Sequence, residues 1–169
     1  MTRRGRVTGC VLALAVSAPL HAEPAERFGT AMKYGLPLAA AICAHRDHRL
    51  EDLALRGVVQ AGIVWGLKHA LDGQPISRRP SGEGLGFPSG HSAAAFFGAS
   101  DLAGKCFEDD PAAGVAGYAA AGVTGWSRVH AGQHTPQQVW AGSLIGFSIG
   151  AASFGIGGED VRFSVGMRF

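Results

Sequence analysis

Three short clusters follow one another along the middle of this 169-residue chain: Lys68 with Arg79-Pro80, then Pro88-Ser89-Gly90-His91, then Ser127-Arg128 with His134. Their residue types suit a phosphate ester. A phosphomonoester dianion must be neutralised before a nucleophile can approach it, and Lys68, Arg79 and Arg128 beside oriented backbone N–H groups form a candidate clamp. Two histidines facing one phosphate can share the remaining work, one attacking phosphorus as a neutral imidazole and the other giving a proton to the leaving oxygen. His91 and His134 are the candidates, and the scheme calls for no metal and no cofactor.

The elements that must position these residues are helices. Ser89 reads as an N-cap, with Gly90, His91 and Ser92 as the first turn of an apolar helix, so free N–H groups would point at an anion there. Thr135-Pro136-Gln137-Gln138 reads as a capping box, with Pro at the first helical position and Gln138 at the third, and places His134 just outside a second helix end. Uncharged stretches at 34–45, 57–67, 84–100, 111–127 and 135–158 lack period-two alternation and are bounded by charges or Gly and Pro. The expected fold is an all-α bundle of about five helices. If they alternate in direction, the three clusters share one end, and the turns near 46–56 and 105–111 share the other.

The ordered set Lys…Arg-Pro, Pro-Ser-Gly-His, Ser-Arg-x5-His resembles the type 2 phosphatidic acid phosphatase (PAP2) superfamily, which also contains bacterial acid phosphatases and vanadium haloperoxidases. The resemblance covers Lys68 to Gln138. It implies phosphate binding by Lys68, Arg79, Ser89, Gly90 and Arg128, with His91 as general acid and His134 as the nucleophile that becomes a phosphohistidine. The chain departs from the family pattern twice. Ten residues separate Lys68 from Arg79 where the family has six, with Arg78 as the spare candidate, and Gln138 stands where the family has an Asp orienting the nucleophilic ring. An amide oxygen can still accept from an imidazole N–H, but a carboxylate stabilises the imidazolium better, so Gln138→Asp or Gln138→Glu is expected to match or exceed the native rate.

Location follows from the chain's ends and charges. Arg3, Arg4 and Arg6, an apolar run from Val7 to Leu20 and small residues before Glu23 form a secretory signal over residues 1–22, leaving one domain at 23–169. The net charge of +2 then falls to −1, since 12 basic residues face 13 acidic ones, and nothing points to nucleic acid. Cys43 and Cys106 lie in apolar contexts and are expected as buried free thiols. Residues 135–158 are long enough to span a bilayer, although mean hydropathy is only +0.14. The favoured placement is a bacterial inner membrane with the site facing the periplasm; the alternative is a soluble periplasmic protein. Oligomeric state is not legible.

Other features have plainer readings. His45, His48 and His69 lack cysteine or carboxylate partners at ligand spacing, His130 lacks the spacing of His134, and Trp65, Trp126 and Trp140 near helix ends suit either an interfacial belt or core packing. Val161, Phe163, Val165, Met167 and Phe169 alternate with polar residues or Gly as a short C-terminal strand would. The functional expectation is a metal-independent phosphatase acting on a lipid-linked phosphate or pyrophosphate such as phosphatidic acid, undecaprenyl pyrophosphate or lipid A. Its competitors are a broad-specificity periplasmic acid phosphatase, a haloperoxidase and an impaired relative that only binds lipid phosphate.

Overall fold

Ser89 and Thr135 are helix N-caps, as their neighbours imply. In the computed structural model, which describes residues 22–154 and 164–165, Ser89 Oγ accepts from Ser92 N at 3.4 Å, and Thr135 and Gln138 exchange the two bonds of a full capping box. The described residues form five α-helices: α1 (Ala22–Arg46), α2 (Leu50–Ala70), α3 (Gly90–Asp101), α4 (Pro111–His130) and α5 (Pro136–Ala151). A 3₁₀ turn at Pro75–Ser77 precedes α3 and a π-helical turn at Leu102–Cys106 follows it. The fold is the all-α bundle that the patterning implies.

Helix limits differ from the uncharged stretches in instructive ways. α1 begins at Ala22 and α2 at Leu50, well before residues 34 and 57, because their first turns carry charges at helical spacing. Asp52 and Arg56 show the point: they are an i,i+4 pair with Nε to Oδ2 at 2.7 Å, both buried. Conversely, residues 84–89 are loop, held by Gly86 N to Ser77 O at 2.8 Å. A Cβ on Gly86 would lie 2.6 Å from Ser77 O and from Gln138 Nε2, so only glycine fits this crossing.

α3 is the central helix, packed by α1, α4 and α5. Gly142, Gly146 and Gly150 form a stripe along α5, and a Cβ on any of them would run into the α3 backbone at Ser89, Ala93 or Phe97. The core is correspondingly fine-grained: Ala40, Ala44, Ala95 and Ala121 with Leu36, Leu53, Phe97 and Leu102. Close backbone approach here replaces large interlocking side chains.

The end away from the three clusters is an ionic latch. Asp101, fully buried, receives Arg56 NH2 at 2.5 Å, Lys105 Nζ at 3.1 Å and Arg49 NH1 at 3.3 Å. Arg56 and Lys105 also donate to the Gly150 carbonyl at 2.9 and 3.2 Å, and Lys105 donates to Ala152 O at 2.7 Å, placing cations where the α5 carbonyls end. This stops α5 at Ala151, short of the expected 158. β1 (Ala152–Ser153) follows and pairs antiparallel with β2 (Ser164–Val165), Ala152 opposite Val165. The rest of the alternating C-terminal segment, and the residues before Ala22 that are expected to form a signal, lie outside the described residues.

Two expectations are corrected here. Cys43 and Cys106 are joined in a disulfide, Cα to Cα 6.3 Å, because the end of α1 and the turn after α3 meet side by side, a proximity that two apolar sequence contexts do not reveal. Moreover, α5 has 16 residues, too few for the span expected over 135–158, and no described helix is long and apolar enough to cross a membrane.

Candidate active site

Gln138 gathers the three clusters. Its Oε1 accepts from the Thr135 N–H at 3.1 Å and from His134 Nδ1 at 3.0 Å, while its Nε2 donates to Ile76 O and Arg78 O, both at 2.9 Å. Its backbone carbonyl accepts from Ser89 N at 2.8 Å. Gln138, fully buried on α5, therefore ties the Arg79 loop and His134 through its side chain and the α3 cap through its backbone carbonyl.

These partners set the His134 tautomer. The Thr135 N–H can only donate and the two carbonyls can only accept, so the amide has one possible orientation. Oε1 then accepts a proton carried on His134 Nδ1, which puts the lone pair of the neutral ring on Nε2. His134 itself is buried. Burial holds its ring down at about 4, the Gln138 bond opposes this, the charges of Lys68 and Arg79 add to it, and a backbone contact at Gly86 opposes it again. At neutral pH the ring is uncharged.

Lys68, on the last turn of α2, donates to Leu85 O at 2.6 Å; burial first and Arg79 second bring its ammonium down to about 8. Arg79 stands on the loop with its Nε buried and unpartnered, while NH1 meets the exposed Glu83 at 3.4 Å. Of the two neighbouring arginines Arg79 is the one facing the site, since Arg78 is exposed and contributes its carbonyl instead. The ten-residue connection thus returns Arg79 to Lys68 and His134, which both feel its charge.

His91 opens α3 beside Gly90, where the first N–H groups have no acceptor within the helix. Ser89 contributes differently: its Oγ is occupied by Ser92 N and Ser92 Oγ, so it caps the helix. Burial, followed by the charges of Lys33, Arg128, His134 and Lys68, presses His91 down to about 4. The charges acting on His91 are all positive, so its surroundings are poised for an anion, whose arrival reverses those repulsions.

Arg128, near the end of α4, is held by α1: NH2 donates to Glu26 O at 2.9 Å and NH1 meets Glu26 Oε1 at 3.4 Å, while Nε donates to Ser127 Oγ at 3.2 Å. Glu26 and Lys33 escaped the sequence reading. The signal for them was a pair of charges seven residues apart, hence on one face of a helix, but nothing local says what that face meets.

All the residues predicted for the site lie at one end of the bundle, on the α2, α3, α4 and α5 ends and the loop between α2 and α3. His130 does not join them; it is exposed and stacked on Trp126 at 4.8 Å, as His69 is set against Trp65 at 4.3 Å.

The family model for the PAP2 superfamily matches residues 55–161. The lipid A 4'-phosphatase of Helicobacter pylori (strain J99) is 37% identical over 145 residues, covering 75% of this chain and 71% of that protein. This chain belongs to the PAP2 superfamily. No solved structure matches it. Membership and the likeness to this phosphatase together make the chain a phosphoric ester hydrolase. Glu26 and Lys33, on α1, precede the segment that the family model matches.

Proposed function

We propose that this PAP2 protein removes phosphate from a lipid-linked phosphate or pyrophosphate through a phosphohistidine on His134. The observation that carries this reading is the 3.0 Å contact of Gln138 Oε1 with His134 Nδ1, which assigns the proton to Nδ1 and the lone pair to Nε2 of a ring that feels the charges of Lys68 and Arg79. The substrate phosphate sits between Lys68, Arg79, Arg128 and the N–H groups of Gly90 and His91. His134 Nε2 attacks phosphorus as the P–O bond to the leaving group breaks, and His91, recharged by the bound anion, protonates the departing oxygen. Water then attacks the phosphohistidine with His91 as base, releasing inorganic phosphate.

A lipid substrate is supported by the relative, named for its action on lipid A, and by apolar exposure at the site end. Trp65, Trp126 and Trp140, each within three residues of Lys68, Arg128 or Gln138, are 65, 55 and 69% exposed. Amphipathic rings so placed suit a lipid headgroup region. The signal-like pattern of residues 1–22 and the Cys43–Cys106 disulfide support an oxidising compartment, with the site facing the periplasm at the inner membrane. The soluble acid phosphatase reading is favoured by one observation, the lack of a membrane-crossing helix among the described residues.

The test is phosphate release by purified protein from phosphatidic acid, a polyprenyl diphosphate and lipid A, with EDTA present, alongside carbonate extraction of membranes. Turnover of these lipids together with retention in the carbonate pellet supports the proposal. Turnover of soluble esters alone, by a protein that carbonate releases, replaces it with the acid phosphatase.

A further inference from the structure

α1 lies outside the segment that matches the superfamily, yet it walls the site. Glu26 holds Arg128, and Gly29 lets the helix approach so closely that a Cβ there would collide with Ser127 Oγ. Lys33 continues this face, four residues beyond Gly29 and seven beyond Glu26.

Helix register locates its ammonium. The backbone of Leu36 lies against Gly98, and Cys43 is bonded to Cys106, so α1 and α3 run parallel with each α1 residue beside the α3 residue about 62 positions later. Gly29 is therefore level with His91. Helical side chains slant toward the N-terminus of their helix, so the long stem of Lys33 carries its charge back over Gly29 toward His91. Lys33 is half-buried and, among the described residues, pairs with no carboxylate; its Nζ lies 4.9 Å from the Tyr34 ring centre. After burial, its charge is the largest influence lowering His91.

A cation beside the proton donor works against an alkoxide leaving group, which needs the proton. It suits a leaving group that is itself a phosphate and departs as an anion. We propose that Lys33 binds a second phosphate on the leaving side of the scissile bond, and that the preferred substrate of this site is a lipid diphosphate. The inference rests on the phosphohistidine reading above. The bond from His134 Nε2 to the terminal phosphorus forms while the bond from that phosphorus to the bridging oxygen breaks. The electron pair stays with the lipid monophosphate, whose negative charge Lys33 neutralises. Water then cleaves the P–N bond, and the products are lipid monophosphate and inorganic phosphate.

The experiment measures kcat/KM for phosphate release from farnesyl diphosphate, farnesyl monophosphate, inorganic pyrophosphate and p-nitrophenyl phosphate, using the full chain in detergent. Wild type should favour farnesyl diphosphate over the monophosphate by at least about tenfold, the worth of one charge-assisted contact. Lys33→Ala should lower the diphosphate value about ten- to a hundredfold more than the monophosphate value, and Lys33→Arg should keep the preference. Pyrophosphate turned over as well as farnesyl diphosphate, and equally sensitive to Lys33→Ala, would keep the role of Lys33 but overturn the lipid part of the substrate. Equal losses on diphosphate and monophosphate, or a wild-type preference for the monophosphate, overturn the proposal. If Lys33→Ala fails to fold, Lys33→Gln and the wild-type preference decide it. Absence of release from all four compounds by folded wild type instead defeats the phosphatase reading itself.

Discussion

Gln138 takes the Nδ1 proton of His134 into a 3.0 Å hydrogen bond with the same amide whose nitrogen holds the carbonyls of Ile76 and Arg78. His134 and the loop bearing Arg79 are therefore positioned by one side chain. The two departures from the family pattern compensate each other: the longer loop brings carbonyls to position 138, and an amide, unlike a carboxylate, can donate to them.

This reverses the expectation for acidic replacements. Glu or Asp at 138 would direct a carboxylate at one or both carbonyls and leave them unsatisfied, at a cost of about 1–3 kcal/mol per buried group. Gln138→Glu should therefore lower both the melting temperature and turnover, and Gln138→Ala should cut turnover roughly ten- to a thousandfold. Thermal melts and kcat on the same purified variants check this, and turnover at or above the native rate in Gln138→Glu would refute it.

His134→Ala should abolish formation of an acid-labile phosphoenzyme, since no other nitrogen occupies that position. His91→Ala should slow poor leaving groups far more than activated ones, because only the former need protonation. The check is quench-flow trapping with labelled substrate, followed by rates on p-nitrophenyl phosphate and an alkyl phosphate. Equal losses on the two esters would reject the division of labour.

Turnover should persist in EDTA and be inhibited by vanadate, which takes the geometry of the phosphorus undergoing transfer. Loss of turnover in EDTA, with recovery on adding zinc or magnesium, would contradict a clamp made only of side chains and helix ends.

His91 and His134 titrate at about 4 in the folded protein against an ordinary 6.5. Below pH 6.5 the unfolded chain binds protons that the folded one refuses, so stability present above that pH is lost as pH falls toward 4. Melting temperature should drop across this window and the slope should lessen in the double variant His91→Gln, His134→Gln. Vanadate, by pairing with the protonated ring, should also reduce the slope. A pH series of thermal melts with and without vanadate measures all three.

Asp101→Ala should destabilise by about 3–5 kcal/mol, because the fully buried Arg56 loses one of its two carboxylates. Its latch lies at the far end of the bundle from His134, so the folded fraction should retain its kcat. Urea unfolding and active-site titration separate the two effects.

What the sequence determined by itself was local or ordered. Ser89 and Thr135 announce helix starts because a cap is satisfied within three residues, and the alternation of helices then puts all three clusters at one end. The residue types Lys68, Arg79, Arg128, His91 and His134 name the chemistry for the same reason: charge and basicity belong to a side chain wherever it stands. The tertiary structure decided how separate helices lie against one another. The Cys43–Cys106 bond, the approach of Glu26 to Arg128 and the influence of the Lys33 charge on His91 all depend on how α1 lies against its neighbours. The donors of Gln138 find carbonyls 60 and 62 residues away. No periodicity encodes such register; it is set by which backbones can approach, at glycines 29, 98, 142 and 146, once the chain has closed on itself.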